Sequence, residues 1–513
     1  EVDMEKCKKR NIEHCTKSKF CVTRKELFMK SGPYVDIRGY HKGVTGSTIR
    51  NTVHFADGTI YRYLVDYGMY QGEGHSRGLD YNDSVNPEKI DTVLLTHPHL
   101  DHDGALPIFV KKGYDKKIYM TDAAYCVIDI GFNDSYNIMK RDSKILKTPP
   151  LYSQNDIDST LQLTNPVRYE EPIDILKDRI TVTFFNNGHL MGSSIILVQI
   201  KEFGYDNINI LYTGDYKPTN CFLDIKPLPY WVYALPNLTI VSEATYGTTN
   251  TWDISHKWEE DIIEACSKKR VILNTAFAQG RFQELMLKIR NLKENGLIPK
   301  DYPIKVDGKT GIDYTFRYIS HSNIIHFKPE SLNFFPENLQ FVDDKTRPGI
   351  LSSSEGKIII STAGMGSNGP AKEYIKRLLP NPNALIYFPG YTSEGTIGRR
   401  VFEAEKDSTV LINGQEIIKR ATVLQTLEFS SHAMADELLE FYCMFAPKAI
   451  LFNHGTLECK EALEKKTNEL LFKPKKYEDS NIEENSSKKR TGILGNGYVY
   501  RINQYGIDKE IKK

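Results

Sequence analysis

The run Thr96-His97-Pro98-His99-Leu100-Asp101-His102 packs three imidazoles and a carboxylate into six consecutive positions, His97 to His102. Imidazole nitrogen and carboxylate oxygen are donors that a catalytic zinc takes, and one catalytic zinc usually uses three protein ligands. Four donors in so short a stretch point to two metal ions. Further candidate donors stand next to apolar runs: His189 after Asn186-Asn187-Gly188, Asp215 after Thr213-Gly214, and His454 before Gly455. Alone, each has an ordinary reading. A loop histidine is commonly a hydrogen-bonded structural residue, and an aspartate after Thr-Gly is commonly a turn residue or helix cap. Together the seven suit two ions held by imidazoles with one shared carboxylate. Two ions ~3.5–4 Å apart polarise a phosphoryl group and lower the pKa of a bound water to about 7.

Seven donors spread over some 350 positions need a scaffold that returns to one rim again and again. Ile90 to Leu95 is apolar and rich in β-branched residues, the composition of a buried strand, so the histidine run reads as a loop at its end. Gly104 lets the chain turn into a helix over Ala105 to Val110. Arg62 to Asp66 reads as a strand ending at an acid. Ile180 to Phe185 and Ser194 to Ile200 read as strands flanking the His189 loop. Ile208 to Tyr212 leads to Asp215, and Leu238 to Val241 leads to Ser242-Glu243. Strands that each deliver a polar residue at one end predict a layered α/β scaffold with its site along one rim.

From about 250 to 405 the pattern changes to strand–loop–helix units. Arg270 to Leu273 precedes Ala276 to Arg281 and a helix over Phe282 to Leu292. Lys357 to Ser361 precedes the glycine-rich Ala363 to Pro370 and a helix over Ala371 to Leu379, with Pro370 suited to the first turn. This alternation predicts a parallel sheet in a unit of its own. The first pattern then returns, with Phe429-Ser430-Ser431-His432 and a strand over Ala449 to Phe452 before His454. The expected organisation is an extension over 1–37, a first part over 38–247, an inserted unit over 248–405, a second part over 406–470 and a tail over 471–513. The tail reads as loosely attached, with one strand over Gly497 to Ile502.

The 513 residues hold 67 Lys and Arg against 66 Asp and Glu. So even a balance excludes a protein that coats nucleic acid by bulk charge, and leaves nucleic-acid binding to a local groove. No apolar run has the length of a transmembrane helix and the N-terminus has no signal-peptide core, so no membrane partner is expected. The eight cysteines are scattered. Cys7, Cys15 and Cys21 cluster without a Cys-x-x-Cys pair, and read as reduced thiols, with a third metal site as the alternative. A cytoplasmic setting is the expectation.

His97-x-His99-x-Asp101-His102, followed by His189 and Asp215, resembles the metallo-β-lactamase fold, an αββα sandwich. Val44-Thr45-Gly46-Ser47 and Val65-Asp66-Tyr67-Gly68-x-x-Gln71-Gly72 look like the opening strands of its RNA-processing branch. Ser242-Glu243-Ala244-Thr245-Tyr246-Gly247 resembles the motif that opens an inserted α/β domain, the β-CASP domain. Ala276-Phe277-Ala278-x-Gly280-Arg281-x-Gln283-Glu284, Gly364-Met365 and Gly390-Tyr391-x-x-Glu394-Gly395-Thr396-x-Gly398-Arg399 match that domain too. Phe429-Ser430-Ser431-His432 and His454-Gly455 are similar to its two late histidine motifs. The likeness runs over about residues 38 to 465. One departure is Met434 where an aspartate is usual, with Asp436 two residues on.

The resemblance implies a two-zinc ribonuclease acting on single-stranded RNA as an endonuclease. His97, His99 and His189 would bind one zinc, Asp101, His102 and His454 the other, and Asp215 would bridge. Asp66 would orient a ligand histidine. A metal-bridging hydroxide would attack phosphorus, with His432, paired to Glu243, protonating the leaving oxygen. RNA-processing protein partners or a second copy are further partners this implies. Glycine-rich loops before helix N-termini favour phosphate, which makes Arg281, Gly364, Ser367, Asn368, Gly369 and Arg399 candidate substrate contacts, with Arg400 beside them. Tight helix–sheet packing explains the same glycines equally well. The alternatives are a DNA nuclease of the same fold, a non-catalytic RNA-processing subunit and a small-molecule hydrolase. His454 favours RNA, because the DNA-repair branch generally lacks that ligand.

Overall fold

The computed structural model describes residues 32–41, 43–71, 79–473 and 489–512. Cys7, Cys15 and Cys21 lie outside them, as do Gly72 and the Ser/Asn/Glu-rich part of the tail. Two sheets face each other and a third forms the inserted unit. The first has the order Gly506–Lys512, Tyr498–Asn503, Tyr34–Gly39, Ile49–His54, Ile60–Val65, Thr92–Leu94, Ile118–Thr121, Thr164–Val167. The second runs Thr491–Ile493, Ala449–Phe452, Leu238–Ser242, Ile208–Tyr212, Ser194–Ile200, Ile180–Asn186, Ile173–Leu176.

Period-two patterning sorts side chains between layers. In the second sheet, Ile180, Val182, Phe184, Ile196, Val198, Ile208, Ile210 and Tyr212 point inward. They meet Val35, Ile37, Val53, Tyr63 and Val65 of the first sheet. Phe185, Ile195, Leu197 and Leu211 point outward onto the helices Ala435–Cys443 and Leu457–Leu471. Leu64 and Val93 of the first sheet turn outward onto Leu106–Lys111, Asp122–Leu146 and Gln154–Leu163. The result is helix, sheet, sheet, helix: the αββα sandwich expected above. Burying each large aliphatic side chain contributes about 1.5–3 kcal/mol.

The third sheet is entirely parallel, in the order Leu339–Val342, Ile304–Asp307, Lys357–Thr362, Val271–Ala276, Ala384–Phe388, Thr422–Gln425. Helices cover both faces. Arg281–Glu294 and Lys309–Ser320 bury Leu285, Ile289 and Tyr318 on one side, and Gly369–Leu378 buries Tyr374 and Ile375 on the other. The long helix Asp122–Leu146 joins the two units: its Ala123 and Val127 enter the core of the third sheet, and its Asp129 takes a two-pronged ion pair from Arg317 at 3.0 and 3.2 Å.

Sheet membership shows how three stretches near the expected bounds are used. The opening strand Tyr34–Gly39 starts before the boundary at 37. Thr422–Gln425 pairs with Ala384–Phe388, so the inserted sheet takes a strand from beyond 405. The last described stretch is built in: Thr491–Ile493 extends the second sheet, while Tyr498–Asn503 and Gly506–Lys512 extend the first. Tail residues supply three strands, where one was expected. No helix among the described residues is long and apolar enough to cross a membrane.

Candidate metal centre and catalytic pair

All seven predicted donors meet at the strand ends on one rim. The histidine run divides into a loop over 96–99 and a helical turn, Leu100–Asp103, that carries Asp101 and His102. His99 Nδ1 lies 3.2 Å from His97 Nε2 and 3.1 Å from His189 Nε2. Asp215 Oδ2 lies 3.4 Å from His97 Nε2, 3.7 Å from His189 Nε2 and 3.3 Å from His102 Nε2. Its other oxygen is 3.3 Å from His454 Nδ1. Asp101 Oδ2 is 3.4 Å from His454 Nε2 and 3.9 Å from His102 Nε2. The seven fall into two donor groups, His97, His99, His189 with Asp215, and Asp101, His102 with His454, while a third group joins Asp215 and His454 to Glu243 and His432. Within each group the ligand atoms lie within 4.8 Å of one another. Asp215 touches both of the first two.

The ring orientations suit metal binding. His102 Nδ1 faces Asp66 Oδ2 at 2.8 Å, and His189 Nδ1 faces the Ser431 carbonyl at 2.8 Å. Each leaves Nε2 toward the centre. Asp66 also accepts from Thr96 N at 2.8 Å and from the hydroxyls of Thr96 and Ser47. It holds φ 61°, a left-handed conformation that aspartate tolerates better than most residues. Asn187 ties down the Asp215 loop by donating to the carbonyls of Thr213 and Asp215, at 2.8 and 2.6 Å. Gly68 is required by close approach, since a Cβ there would lie 1.7 Å from the Asp101 carbonyl oxygen.

Burial holds the imidazoles of His97 and His189 well below their ordinary pKa, and that of His99 down to about 4, so all three are neutral, as ligation demands. Burial works against charge on His102, yet Asp215, Asp66 and Asp101 draw a proton onto it. Burial likewise opposes ionisation of Asp101 and Asp215, but the surrounding imidazoles hold both well below the usual carboxylate range. Buried carboxylates among mostly neutral rings make a negative site. Within it, His102 Nε2 and Asp215 Oδ1 are buried without a hydrogen-bond partner. A buried orphan is costly, and a cation between such atoms offsets that cost. The donor set fits metal.

Glu243 and His432 stand beside this cluster. His432 Nδ1 lies 2.9 Å from Glu243 Oε2, while Glu243 Oε1 accepts the Tyr216 N–H. Burial opposes protonation of His432, but Glu243 and then Asp215 raise its pKa above the ordinary value. With Nδ1 engaged, Nε2 is the nitrogen left for a substrate, on a side chain 19% exposed.

The inserted unit places some predicted substrate residues near this pair and not others. Arg281 is half-buried, donates Nε to the Phe429 carbonyl at 3.2 Å, and packs its guanidinium against Gly390 and over Phe277, 5.2 Å from the ring centre. Tyr246, whose phenol senses the Arg281 charge, has its ring 6.1 Å from that of His432. Gly364 lies against Phe277. Asn368 and Gly369 open the helix Gly369–Leu378, and the Asn368 side chain makes no capping bond. Ser367 is occupied, accepting from Ile397 N at 2.9 Å, and Arg399 is paired with Glu403 at 2.6 Å.

Residues that sequence reasoning missed are those that support the donors. His41 is fully buried, and its Nε2 accepts the N–H of His454 at 3.2 Å. Thr245 Oγ1 lies 3.0 Å from His454 Nδ1 and 3.3 Å from His432 Nδ1. Thr96 Oγ1 lies 3.0 Å from His97 Nδ1. Thr96 and Thr245 fall inside the motifs, whereas nothing local marks His41.

Three family models match in chain order: a metallo-β-lactamase superfamily domain over residues 55–220, a β-CASP domain over 282–401, and a Zn-dependent metallo-hydrolase RNA specificity domain over 417–473. The chain is 31% identical over 414 residues to the transcription termination factor FttA of Methanosarcina mazei, covering 77% of this chain and 63% of that protein. For the FttA of Thermococcus kodakarensis the values are 32% over 426 residues, 78% and 60%. An RNase J-like protein of Methanocaldococcus jannaschii is 29% identical over 402 residues, covering 77% of this chain and 87% of that protein. The chain thus spans about three-fifths of the length of these FttA relatives. The sandwich, the inserted parallel sheet and the ordered domain matches place this chain in the β-CASP branch of the metallo-β-lactamase superfamily.

Proposed function

We propose that this protein is a two-zinc ribonuclease that hydrolyses phosphodiester bonds of single-stranded RNA, as an endonuclease. The observation that carries the reading is a histidine held by a carboxylate, His432 on Glu243 at 2.9 Å, beside a complete set of seven donors. His97, His99 and His189 would hold one ion, Asp101, His102 and His454 the other, with Asp215 reaching both. Two bound ions would supply Lewis-acid polarisation of the phosphoryl group and a lowered pKa for the attacking water.

The chain's own residues supply the rest. Water adds to phosphorus, and the bond to the 3′ oxygen breaks. His432 Nε2 gives its proton to the departing oxygen, leaving a 5′-phosphate on the downstream piece. Glu243 keeps the ring aimed and favours its charged form before transfer. Arg281, the only cation among the predicted contacts that packs beside Tyr246, is the proposed partner for a backbone phosphate. The presence of His454, the match to an RNA specificity domain over 417–473 and the RNase J-like relative support RNA over DNA. No donor is missing, which argues against a non-catalytic subunit.

The test uses zinc-loaded protein with a closed circular single-stranded RNA and a DNA circle of matched sequence. A circle has no 5′ end, so its opening requires endonuclease action. RNA opening that is lost in His432→Ala, with bound zinc unchanged, is the expected result. Opening of DNA alone, or cleavage of linear RNA only, overturns substrate or mode. No cleavage at all, with hydrolysis of a lactone or thioester instead, overturns the whole reading.

A further inference from the structure

His454 sits in a strained position. Its φ is 36°, positive for a residue with a side chain, and such conformations persist only where surrounding structure over-determines them. Three contacts hold it. Its carbonyl accepts from Ala244 N at 2.9 Å, its ring meets Thr245 Oγ1 at 3.0 Å, and its N–H points at His41 Nε2 at 3.2 Å. The next residue leaves no slack, because a Cβ on Gly455 would lie 2.6 Å from the Ala244 carbonyl oxygen.

The His41 end of this bond has its own cost. To accept through Nε2, the ring must carry its proton on Nδ1. That Nδ1 is buried and has no hydrogen-bond partner. Native folds rarely keep a buried unsatisfied group, and those that persist call for an explanation. An aliphatic side chain would fill the space with no such orphan. What it lacks is an acceptor for the His454 N–H.

The segment that carries His41 also reaches the other donors of the same half-site. Tyr40 N donates to Thr48 O at 3.1 Å, closing the loop, and Ser47 N donates to the Asp101 carbonyl at 2.7 Å. Gly455 N reaches back to Gly43 O at 3.3 Å. The loop between the first two strands therefore grips both Asp101 and His454, whose ligand atoms lie 3.4 Å apart. Among the hydrogen bonds of the described residues, none joins this loop to His97, His99 or His189.

We infer that His41 is a positioning residue for one half of the metal centre: it fixes the main chain of His454 and so sets the affinity of the Asp101–His102–His454 position, leaving the His97–His99–His189 position unaffected. This rests on the metal-centre reading above. Partners of metal ligands typically change metal affinity by about 10- to 100-fold when removed, and that is the loss expected here for one ion of the two.

The test measures zinc per chain and stepwise zinc affinity by chelator competition, with thermal melting of the metal-free protein alongside. His41→Leu removes the acceptor and keeps a compact apolar side chain. His41→Gln offers an amide oxygen in its place. The expected result is one tight and one weakened zinc in His41→Leu, with recovery of the second in His41→Gln. Two zincs at unchanged affinity in His41→Leu overturn the inference, as does equal weakening of both. If His41→Leu does not fold, His41→Val, which also lacks the acceptor, decides on the same terms: a weakened second zinc with an intact first supports the role, and two unchanged or two equally weakened zincs refute it. Wild-type protein that binds no zinc refutes the metal centre itself, a failure readily told apart from these.

Discussion

Asp66→Asn separates the metal centre from the fold that surrounds it. The Asp66 carboxylate is 2% exposed and accepts from His102 Nδ1, from Thr96 N and Oγ1, and from Ser47 Oγ. Asparagine keeps the volume but has only one acceptor oxygen. If that oxygen serves Thr96, the amide NH2 confronts the Nδ1–H of His102. His102 then either keeps two donors face to face or moves its proton to Nε2, the nitrogen aimed at the centre. An unmatched buried donor costs about 1–3 kcal/mol. At 1.36 kcal/mol per decade, that is a loss in metal affinity of roughly 5- to 150-fold. Zinc competition against a chelator reads this directly, and circular dichroism of the metal-free variant checks that the sandwich survives. Unchanged affinity, within about twofold, would refute the orienting role of Asp66. A fall in affinity matched by loss of folded protein would refute the claim that the effect is local.

Gly68→Ala should disrupt the centre without touching a donor, because its Cβ would sit 1.7 Å from the Asp101 carbonyl oxygen; a variant with native melting temperature and native zinc content would contradict this. Glu428 gives a pH signature. Burial, together with Glu259 and Glu284, pushes its carboxyl up to about 7 against the opposing pull of Lys288. Below pH ~4.5 it is protonated folded or unfolded, and stability is unaffected. Between pH ~4.5 and ~7 only the unfolded chain ionises, so stability falls as pH rises, by at most about 3 kcal/mol, and stays lower above pH ~7. Urea denaturation of Glu428→Gln should match wild type near pH 4 and exceed it near pH 8; parallel curves at both would disprove the assignment.

The convergence of the candidate donors was legible because their loops follow apolar runs. Ile208–Tyr212 and Ala449–Phe452 are uninterrupted core strands, and the residues just past them inherit a fixed place on the rim. Strands with mixed faces were harder. Tyr34–Gly39 alternates buried and half-buried residues, and Gly506–Lys512 is an edge strand carrying Asp508, Lys509, Glu510 and Lys512, so neither has a run to announce it. Thr422–Gln425 shows a different limit, because its pattern says strand but which sheet it joins depends on a partner some forty residues earlier. His41 lies beyond local reading altogether. Its meaning comes from an N–H more than four hundred residues away.

The hairpin of Tyr498–Asn503 and Gly506–Lys512 bears on how the candidate centre is assembled. Tyr498–Asn503 lies against Tyr34–Gly39, so the first described strand is a neighbour of the last but one. Between them, the donors are drawn from His97 through His454, and Leu494 N still has to reach the Phe452 carbonyl just before the last of them. Contacts of such long sequence separation form late and slowly. Until residues 491–503 have paired, the segment that leads to His454 lacks part of its support. The last candidate donor therefore reaches its place only after strands far from it in sequence have paired.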